Sequence, residues 1–204
     1  GSHVAGIIRS VAPNVQIMPL RASYTDGRTT YYSTTDIIAA LTYAIDNRAD
    51  VINMSFSGPH LGVLREIISA ADDLGIVMVA AAGNRNKPYE QYPAALSEVI
   101  AVGAIDADGE KAYYSNYGNW VDIAAPGSDI SSTSTSRKVY EVRSGTSMAT
   151  PYVAGVAALI KARDKVRALS AIEIRTRIIS SATPHSFVPV LNPDIHNPVE
   201  VEEI

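Results

Sequence analysis

The sequence predicts a three-layer α/β/α fold, in which a mostly parallel sheet carries helices on both of its faces. Short apolar segments of strand length alternate along the chain with segments of helical period, and this alternation is typical of parallel sheets. Residues 75–82 are apolar almost throughout, which indicates a strand buried on both faces. Sites in such sheets form outside the carboxyl ends of the strands. Those ends are predicted at residues 55–59 and 82–84 and in the loop that leads to Ser147.

In the first half of the chain, the spacing of apolar residues separates helices from strands. Ile37, Leu41 and Ile45 recur at the helical period, whereas residues 51–56 form a short strand-like run. The elements predicted here, in chain order, are a helix over 4–8, a strand over 15–20, a helix over 36–47, a strand over 51–56 and a helix over 64–74.

The second half continues the alternation and ends in a tail. Residues 148–166 form a long helical pattern rich in Ala and Gly, which can pack close to a sheet. Ser170 and Glu173 form a capping-box pattern at the start of the next helix. The elements predicted here are strands over 75–82, 99–105 and 120–125, then helices over 148–166 and 170–181. Residues 1–182 are therefore assigned to one domain, and the proline-containing residues 183–204 to an extended tail.

The composition excludes several classes of function. The 204 residues are 47% apolar and 19% charged, which is enough for a sizeable core. A net charge of −4 without a basic cluster argues against a nucleic-acid partner. The absence of cysteine excludes disulfides, zinc thiolates and a cysteine nucleophile. No apolar run reaches the roughly 20 residues that cross a bilayer, so no membrane span is predicted.

The stretch Ser144-Gly145-Thr146-Ser147-Met148-Ala149-Thr150-Pro151 joins a turn of small residues to the long helix. Because proline is tolerated in a helix only near its start, Pro151 fixes that start within a few residues of Ser147. The Ser147 hydroxyl then faces the positive end of the helix dipole and free backbone N–H groups. Ser147 is accordingly either an ordinary N-cap or a group whose developing negative charge this environment stabilises.

Two further residues stand at comparable places in the predicted fold. His3 opens a helix after two small residues, and Asn84 follows the buried strand in Ala81-Ala82-Gly83-Asn84. Taken singly, each has an ordinary explanation. A lone histidine is usually a surface or satisfied core residue, and an asparagine after glycine is usually a turn residue. The three residues therefore carry weight only in combination.

In combination, these stretches resemble the subtilisin-like serine proteases, or subtilases. The resemblance covers about residues 1–182, with the motifs in the family order and near the family spacings. The stretch around Ser147 is highly specific. The matching stretches are Gly1-Ser2-His3-Val4-Ala5-Gly6, Val51-Ile52-Asn53-Met54-Ser55, Ala81-Ala82-Gly83-Asn84, Ala124-Ala125-Pro126-Gly127 and residues 144–151 followed by Val153-Ala154-Gly155.

The resemblance implies a subtilisin-like fold and a serine endopeptidase that works through an acyl-enzyme, with no cofactor required for the chemistry. Ser147 would be the nucleophile, and His3 the base that later returns the proton to the leaving amine. The Asn84 side-chain amide and the Ser147 backbone N–H would bind the oxyanion of the tetrahedral intermediate.

The resemblance also implies where a polypeptide substrate binds. The substrate would add as a strand beside residues 55–58, with a second edge around Thr30–Ser33 on its other side. Arg85 would lie at the rim of the first specificity pocket, where we expect it to disfavour basic substrate residues, and Gln91 near its floor. Phe56 is equally well explained by core packing, and Arg85 by a solvated surface. The residues assigned to substrate binding are Ser55, Phe56, Ser57, Gly58, Ala82, Gly83, Arg85 and Gln91.

The sequence departs from the family at the acid that orients the histidine. The family supplies it from an Asp-Thr/Ser-Gly strand end before the histidine, and this sequence starts two residues before His3. Three interpretations stay open. The chain lacks an N-terminal segment that carries the acid; it is an inactive binding or scaffold module of the same fold; or a replacement acid comes from elsewhere, such as Asp194 or a partner chain. The missing segment or a pro-segment is the partner expected beside polypeptide substrates.

Other features bear on calcium, location and rival functions. Many relatives bind calcium in a loop within the helix after the histidine. Ile8 leads here to Ala12-Pro13-Asn14-Val15 with no room for that loop, so this site is predicted to be absent, while structural calcium elsewhere stays open. The resemblance favours a secreted or cell-envelope protein. A generic α/β-hydrolase needs Gly-x-Ser-x-Gly with its histidine last, unlike Gly145-Thr146-Ser147-Met148-Ala149 with His3 first.

Overall fold

The computed structural model describes residues 1–25, 30–135, 139–164, 166 and 168–183. In these residues the helices are α1 (Ser2–Val11), α2 (Thr34–Asp46), α3 (Gly62–Asp73), α4 (Thr146–Arg163) and α5 (Ala171–Ser181). The strands are β1 (Ser23–Thr25), β2 (Thr30–Tyr32), β3 (Val51–Met54), β4 (Val77–Ala81), β5 (Val99–Ile105), β6 (Ile123–Pro126), β7 (Ile130–Thr133) and β8 (Tyr140–Arg143).

The centre of the fold is a parallel sheet with the strand order β3-β4-β5-β6. Every residue of β4 is buried. Val77 and Val79 belong to the core cluster on one face of the sheet, and Met78 and Ala80 to the cluster on the other. This placement confirms the prediction of a strand covered on both faces, because alternate side chains of one strand point to opposite sides.

Helices cover both faces of this sheet, so the predicted three-layer arrangement is confirmed. The first cluster joins the sheet to α4 and α5, through residues such as Val153 and Ile174. The second joins it to α2 and α3, through residues such as Leu41 and Ile68. The capping box at α5 is also confirmed, since the Ser170 and Glu173 side chains each bond to the other residue's backbone N–H.

Helix α1 is held very close to α4 and to β7. A Cβ atom on Gly155 of α4 would lie 2.7 Å from Cβ of Val11, and one on Gly6 would lie 2.3 Å from Oγ of Ser132 in β7. Such distances leave no room for a side chain at either glycine. The position of α1, which carries His3, is therefore set by two close contacts.

One predicted strand is wrong. Residues 15–20 form no β-ladder and run as irregular chain. A strand needs a neighbouring backbone to accept its hydrogen bonds, and no described strand lies beside this segment or beside the free edge of β3. An apolar pattern of side chains predicts a strand but does not supply the partner that a strand needs.

Several boundaries also differ, and two hairpins were missed. Helix α4 ends at Arg163 rather than 166, because the Asp164 carboxylate accepts the backbone N–H groups of Ala168 and Leu169 and turns the chain. The last strand of the sheet is β6, over 123–126 rather than 120–125. The antiparallel pairs β1–β2 and β7–β8 are short and partly polar, so they lack a strong apolar pattern. The predicted tail beyond Thr183, including Asp194, lies outside the described residues.

Candidate active site

The carboxyl ends of β3 and β4 meet the start of α4, as the sequence predicts. Ser55 follows β3 and bonds to Ser147 in both directions: the Ser147 hydroxyl donates to the Ser55 carbonyl at 3.1 Å, and the Ser55 hydroxyl donates to the Ser147 carbonyl at 3.0 Å. Asn84 follows β4 and bonds to Thr146. The first turn of α4 is thus tied to two strand ends of the sheet.

Ser147 lies inside the helix, so its interpretation as an N-cap is wrong. The N-cap residue is Gly145, with φ 152°, and this positive value favours glycine. The Gly145 N–H donates to the Gly127 carbonyl at 2.8 Å, which anchors the turn to the end of β6. Ser147 is therefore in the first turn, where helix N–H groups have no partner within the helix. Its side chain is free of capping and points to the strand end.

The side chain of Asn84 is oriented by its neighbour Thr146. The Asn84 Oδ1 atom accepts from the Thr146 backbone N–H at 2.8 Å and from the Thr146 hydroxyl at 2.9 Å. The same hydroxyl oxygen accepts the Gly83 N–H at 3.1 Å. With Oδ1 engaged twice, the Nδ2 amide points away from Thr146, and it lies 3.4 Å from where a Cβ of Gly145 would stand. A glycine at that position keeps the amide uncrowded.

His3 is buried in α1, with only 5% of its surface exposed. Its Nε2 atom lies 3.0 Å from the backbone carbonyl oxygen of Glu141 in β8, and Ser132 donates to the His3 carbonyl at 2.8 Å. A carbonyl oxygen only accepts, so Nε2 must carry the proton of this bond. The other ring nitrogen, Nδ1, is buried without a hydrogen-bond partner in the described part of the chain.

His3 and Ser147 are consequently not hydrogen-bonded to each other within the described residues. The imidazole donates to Glu141 and the hydroxyl donates to Ser55. A base that is to accept a proton from Ser147 must present an unprotonated nitrogen to it, within about 2.6–3.2 Å. In the arrangement described, Nε2 is committed as a donor elsewhere.

The Glu141 side chain lies near the same ring. Its carboxylate accepts from the Ser134 hydroxyl and forms a salt bridge with Arg143 at 2.6 Å. The hydrogen bond from Ser134, followed by the bond and charge of Arg143, holds the pKa of this carboxyl below its usual value. Glu141 therefore stays ionised near His3, although it does not bond to Nδ1.

A groove of about 1460 Å³ runs beside the free edge of β3. It is lined by α1, α2, α4, the irregular residues 13–20 and β3 itself, and its walls are mainly apolar side chains. Its volume exceeds the ~300–1,000 Å³ of most small-ligand pockets. Ser2 and Val4, which flank His3, line it. Asn53 lines it as well, and its Oδ1 atom is buried without a partner among the described groups.

The segments predicted to flank a substrate lie near one another. The rings of Phe56 and Tyr32 are 5.7 Å apart, so the end of β3 touches the edge strand β2. Phe56 is half-buried and also packs against the core, in keeping with both of its interpretations. Gly58 pairs with Tyr92 through two backbone hydrogen bonds of 2.8 and 3.1 Å. Ser57 is exposed.

The predicted pocket residues are also adjacent. A Cβ on Gly83 would lie 3.4 Å from Cγ of Gln91, so that side chain faces the end of β4. Ala82 is fully buried beneath them. Arg85 is exposed, and its backbone N–H donates to the Asn116 side chain at 3.0 Å. The predicted pocket residues therefore lie around the end of β4, and residues 55–58 follow the end of β3.

Three residues near the site were missed at the sequence level. Thr146 stands next to Ser147 in the specific motif, and a buried hydroxyl there was a usable signal. Asn116 lies in Asn116-Tyr117-Gly118, whose composition is typical of a turn, yet it is only 1% exposed. Glu141 contacts His3 through a backbone carbonyl, for which a sequence offers no signal.

The described residues contain no group of three or more His, Asp or Glu side chains that could hold a metal ion. Within the same residues, no helix is long and apolar enough to cross a membrane.

Comparison with a family model and comparison with known proteins lead to the same family. The model of the subtilase family of peptidases matches residues 1–195. The thermophilic serine proteinase of Bacillus sp. strain AK1 is 42% identical over 193 residues, covering 89% of this chain and 46% of that protein. Subtilisin DY of Bacillus licheniformis is 40% identical over 197 residues, covering 90% of this chain and 70% of that protein. The chain thus spans about half the length of the first relative.

Solved structures agree with the sequences. A cold-adapted subtilisin-like serine proteinase superposes with a TM-score of 0.80 at 33% identity, covering 88% of this chain and 66% of that one. The prenylagaramide maturation protease PagA superposes with a TM-score of 0.71 at 31% identity, covering 79% of this chain and 61% of that one. The architecture described above is therefore shared by proteases of this group.

Proposed function

This chain belongs to the subtilase family, and on that basis we propose that it forms the catalytic part of a serine endopeptidase that hydrolyses polypeptides through an acyl-enzyme. One observation carries the proposal. The Ser147 hydroxyl and the Asn84 side chain meet at the start of α4, where the carbonyl of a bound peptide would find a nucleophile beside hydrogen-bond donors.

Ser147, His3 and Asn84 have defined roles in the proposed reaction. The Ser147 oxygen attacks the scissile carbonyl while His3 takes its proton, and the same imidazole then protonates the leaving amine. The Asn84 amide and the Ser147 backbone N–H receive the negative charge on the carbonyl oxygen. The two bonds from Thr146 to Oδ1 support this role for Asn84, because they leave its Nδ2 donor turned outward.

The proposed reaction needs the opposite tautomer of His3 from the one described. A carboxylate beside Nδ1 would accept a hydrogen bond from Nδ1–H, and Nε2 would then be the unprotonated base. The ring would have to release the Glu141 carbonyl and turn its lone pair to Ser147. A residue that supplies this carboxylate is the missing member of the site.

We propose that an extended polypeptide segment in the groove beside β3 supplies that carboxylate. The free edge of β3 can accept the backbone hydrogen bonds of one more strand, and the apolar walls can cover its side chains. The unpartnered Asn53 Oδ1 offers one further acceptor. The segment can belong to the same polypeptide or to another one.

Substrate preference is proposed from the residues around the end of β4. The exposed Arg85 would oppose a basic substrate residue next to the scissile bond and favour an acidic one. In a peptide-library digest, we expect few cleavages after Lys or Arg. The variant Arg85→Glu should reverse this preference, and Arg177→Glu, at an exposed position of α5, serves as the charge-matched control. A library profile dominated by Lys or Arg would refute the proposal.

An inactive binding module of the same fold is the second candidate. It is favoured by one observation, the engagement of the His3 Nε2 atom with Glu141 rather than Ser147. Such a module would hold an extended polypeptide beside residues 55–58 without cleaving it. Such a module needs no carboxylate beside the Nδ1 atom of His3.

Labelling of the full-length protein with a fluorophosphonate separates the two candidates. The reagent forms a bond between Oγ of an activated serine and phosphorus, with loss of fluoride. For the peptidase, we expect labelling on Ser147 that Ser147→Ala abolishes and His3→Ala strongly slows. Replacement of the exposed Ser180 by alanine is the matched control and should change nothing. Folded protein that binds peptides but resists the reagent would establish the binding module instead.

Two further expectations belong to this proposal. We propose that calcium is not bound within α1, since that helix runs without interruption from Ser2 to Val11 and meets the chain turn at Ala12. Calorimetric titration with calcium would detect any other site, and variants that replace single surface Asp or Glu residues would locate it.

We also propose that the protein acts outside the cytoplasm, which cell fractionation tests.

A further inference from the structure

We propose that Asn116 and Lys111 are positioning residues that hold the oxyanion donor Asn84 in place, an inference that rests on the peptidase function proposed above. Both residues belong to residues 111–116, which follow β5 and are named the clamp segment here. Both contact residues 82–87, which follow β4, carry Asn84 and are named the oxyanion loop. Neither Asn116 nor Lys111 touches the Ser147 hydroxyl.

Asn116 bonds to the oxyanion loop through both polar atoms of its side chain and through its backbone N–H. Its Oδ1 atom accepts the backbone N–H groups of Arg85 at 3.0 Å and Lys87 at 3.1 Å. Its Nδ2 donates to the Ala82 carbonyl at 2.8 Å, and its own backbone N–H donates to the Gly83 carbonyl at 2.9 Å. One buried side chain thus bonds the loop on both sides of residue 84.

Lys111 bonds to Asn86, another residue of the oxyanion loop. It is only 4% exposed, and its ammonium group donates to the Asn86 side chain at 3.0 Å, to the Ala112 carbonyl at 3.0 Å and to the Ser115 carbonyl at 3.1 Å. The ammonium also lies 5.4 Å from the ring centroid of Tyr117. All three N–H bonds of the ammonium are satisfied, and one of them bridges the clamp segment to the loop.

The oxyanion loop contains two residues with positive φ, and the clamp segment contacts the loop at both of them. Gly83 has φ 99° and Asn86 has φ 49°, a region that glycine adopts freely and asparagine more readily than most residues. The Asn86 N–H donates to the Tyr114 carbonyl at 2.7 Å, again on the clamp segment. A Cβ on Gly83 would lie 2.5 Å from Nδ2 of Asn116, so the two segments are in direct contact.

A shift of the loop would move the Asn84 amide directly. The side chain is fixed to α4 through Thr146, which also accepts the Gly83 N–H, whereas the backbone after residue 84 is held by the clamp through the N–H groups of Arg85 and Lys87. Oxyanion stabilisation depends on donors placed about 2.7–3.1 Å from the oxyanion. A displacement of about 1 Å can cost up to about 10²-fold in rate. The clamp is therefore expected to act on the chemical step through the position of Asn84.

The test measures fluorophosphonate labelling of the full-length protein, separated into the maximal rate constant and the half-saturating concentration. We expect Asn116→Ala to lower the maximal rate about 10- to 100-fold with little change in half-saturation, because the oxyanion contact is made in the transition state. Asn116→Asp keeps the two acceptor bonds and should recover part of that loss. Lys111→Met should cause a smaller loss of the same kind.

A double-mutant cycle with Asn84→Ala shows whether the clamp acts through Asn84. We expect Asn84→Ala to slow labelling by about 10²–10³-fold, and the further change Asn116→Ala to add almost nothing. Arg175→Met is the control for stability alone, because Arg175 bonds to the Glu98 carbonyl at the opposite end of the sheet. It should lower the melting temperature and leave the maximal rate unchanged.

Three outcomes overturn the inference. The first is labelling of Asn116→Ala at the wild-type rate. The second is a loss of labelling rate in Asn116→Ala that adds to the loss in Asn84→Ala. The third is an equal loss of labelling rate in Arg175→Met. If Asn116→Ala does not fold, the same cycle with Asn116→Asp decides. Failure of the peptidase function looks different, since the unmodified protein then labels no faster than Asn84→Ala or Ser147→Ala.

Discussion

The close contact between α1 and α4 predicts a specific effect of replacing Gly155 by alanine. Gly155 is buried in α4, and its missing side chain lets Val11 of α1 approach the helix backbone. A new Cβ would lie 2.7 Å from Cβ and 2.9 Å from Cγ1 of Val11. Because α1 also carries His3, the substitution tests whether the position of this helix sets the position of the proposed base.

The size of the effect follows from these distances. Moving the 2.7 Å contact to the ~3.5–4.0 Å optimum requires α1 to shift by roughly 0.8–1.3 Å. Overpacking of this kind costs about 1–3 kcal/mol, while Gly to Ala in a helix interior returns about 1 kcal/mol. The free energy of unfolding should therefore fall by about 0–2 kcal/mol. A shift of about 1 Å in His3 should slow labelling of Ser147 by up to about 10²-fold.

Urea unfolding and fluorophosphonate labelling measure the two effects on the same protein. Gly62→Ala is the matched control, because nothing lies within 4 Å of the Cβ that it adds to α3. The double variant Gly155→Ala with Val11→Gly removes both clashing atoms, Cβ and Cγ1 of Val11, and should regain most of the labelling rate. Wild-type labelling by Gly155→Ala, or a double variant as slow as the single one, would refute the reasoning.

Three other variants have defined expectations. Thr146→Val removes both the hydroxyl that holds Asn84 and the acceptor of a buried N–H, so we expect a loss of about 1–3 kcal/mol in unfolding free energy and slower labelling. Burial lowers the pKa of Lys111, so the unfolded chain binds more protons in the alkaline range. Wild-type stability should therefore rise toward pH 10 relative to Lys111→Met. Burial raises the pKa of Tyr114, which donates to Gly127 at 2.8 Å. Above pH ~10 wild-type stability should fall relative to Tyr114→Phe.

Controls separate these effects from general damage. Thr146→Ser keeps the hydroxyl and should label at nearly the wild-type rate, so equal losses in the serine and valine variants would contradict the role given to that hydroxyl. The two pH effects are read from urea midpoints between pH 7 and pH 11. Parallel curves for wild type and both variants would show that neither buried group titrates differently on unfolding.

The parts of the fold that the sequence predicts are those fixed by local chemistry. The unbroken apolar run of β4 requires cover on both faces, and the capping box at Ser170 needs only residues three apart. The gathering of Ser55, Asn84 and Ser147 follows from parallel strands, whose carboxyl ends share one edge. None of these inferences depends on a partner far along the chain.

The predictions that were wrong, and the features that were not predicted, concern residues whose partners a sequence does not specify. Residues 15–20 have strand-like composition, but none of the strands in the described ranges pairs with them. The pairing of β7 with β8 brings the Glu141 carbonyl to His3 across 138 positions of the chain, and this bond sets the tautomer. Asn116 looks like a turn residue until its four bonds to the oxyanion loop are seen.

Three groups in or beside the groove lack hydrogen-bond partners among the described residues. They are the free edge of β3, the buried Oδ1 of Asn53 and the buried Nδ1 of His3. Each buried unpaired group costs about 1–3 kcal/mol, so an occupant that satisfied them together would stabilise the fold. A carboxylate on that occupant would also free Nε2 as a base. Binding in the groove should then raise stability and labelling rate together, with the same concentration dependence, because both report a single equilibrium.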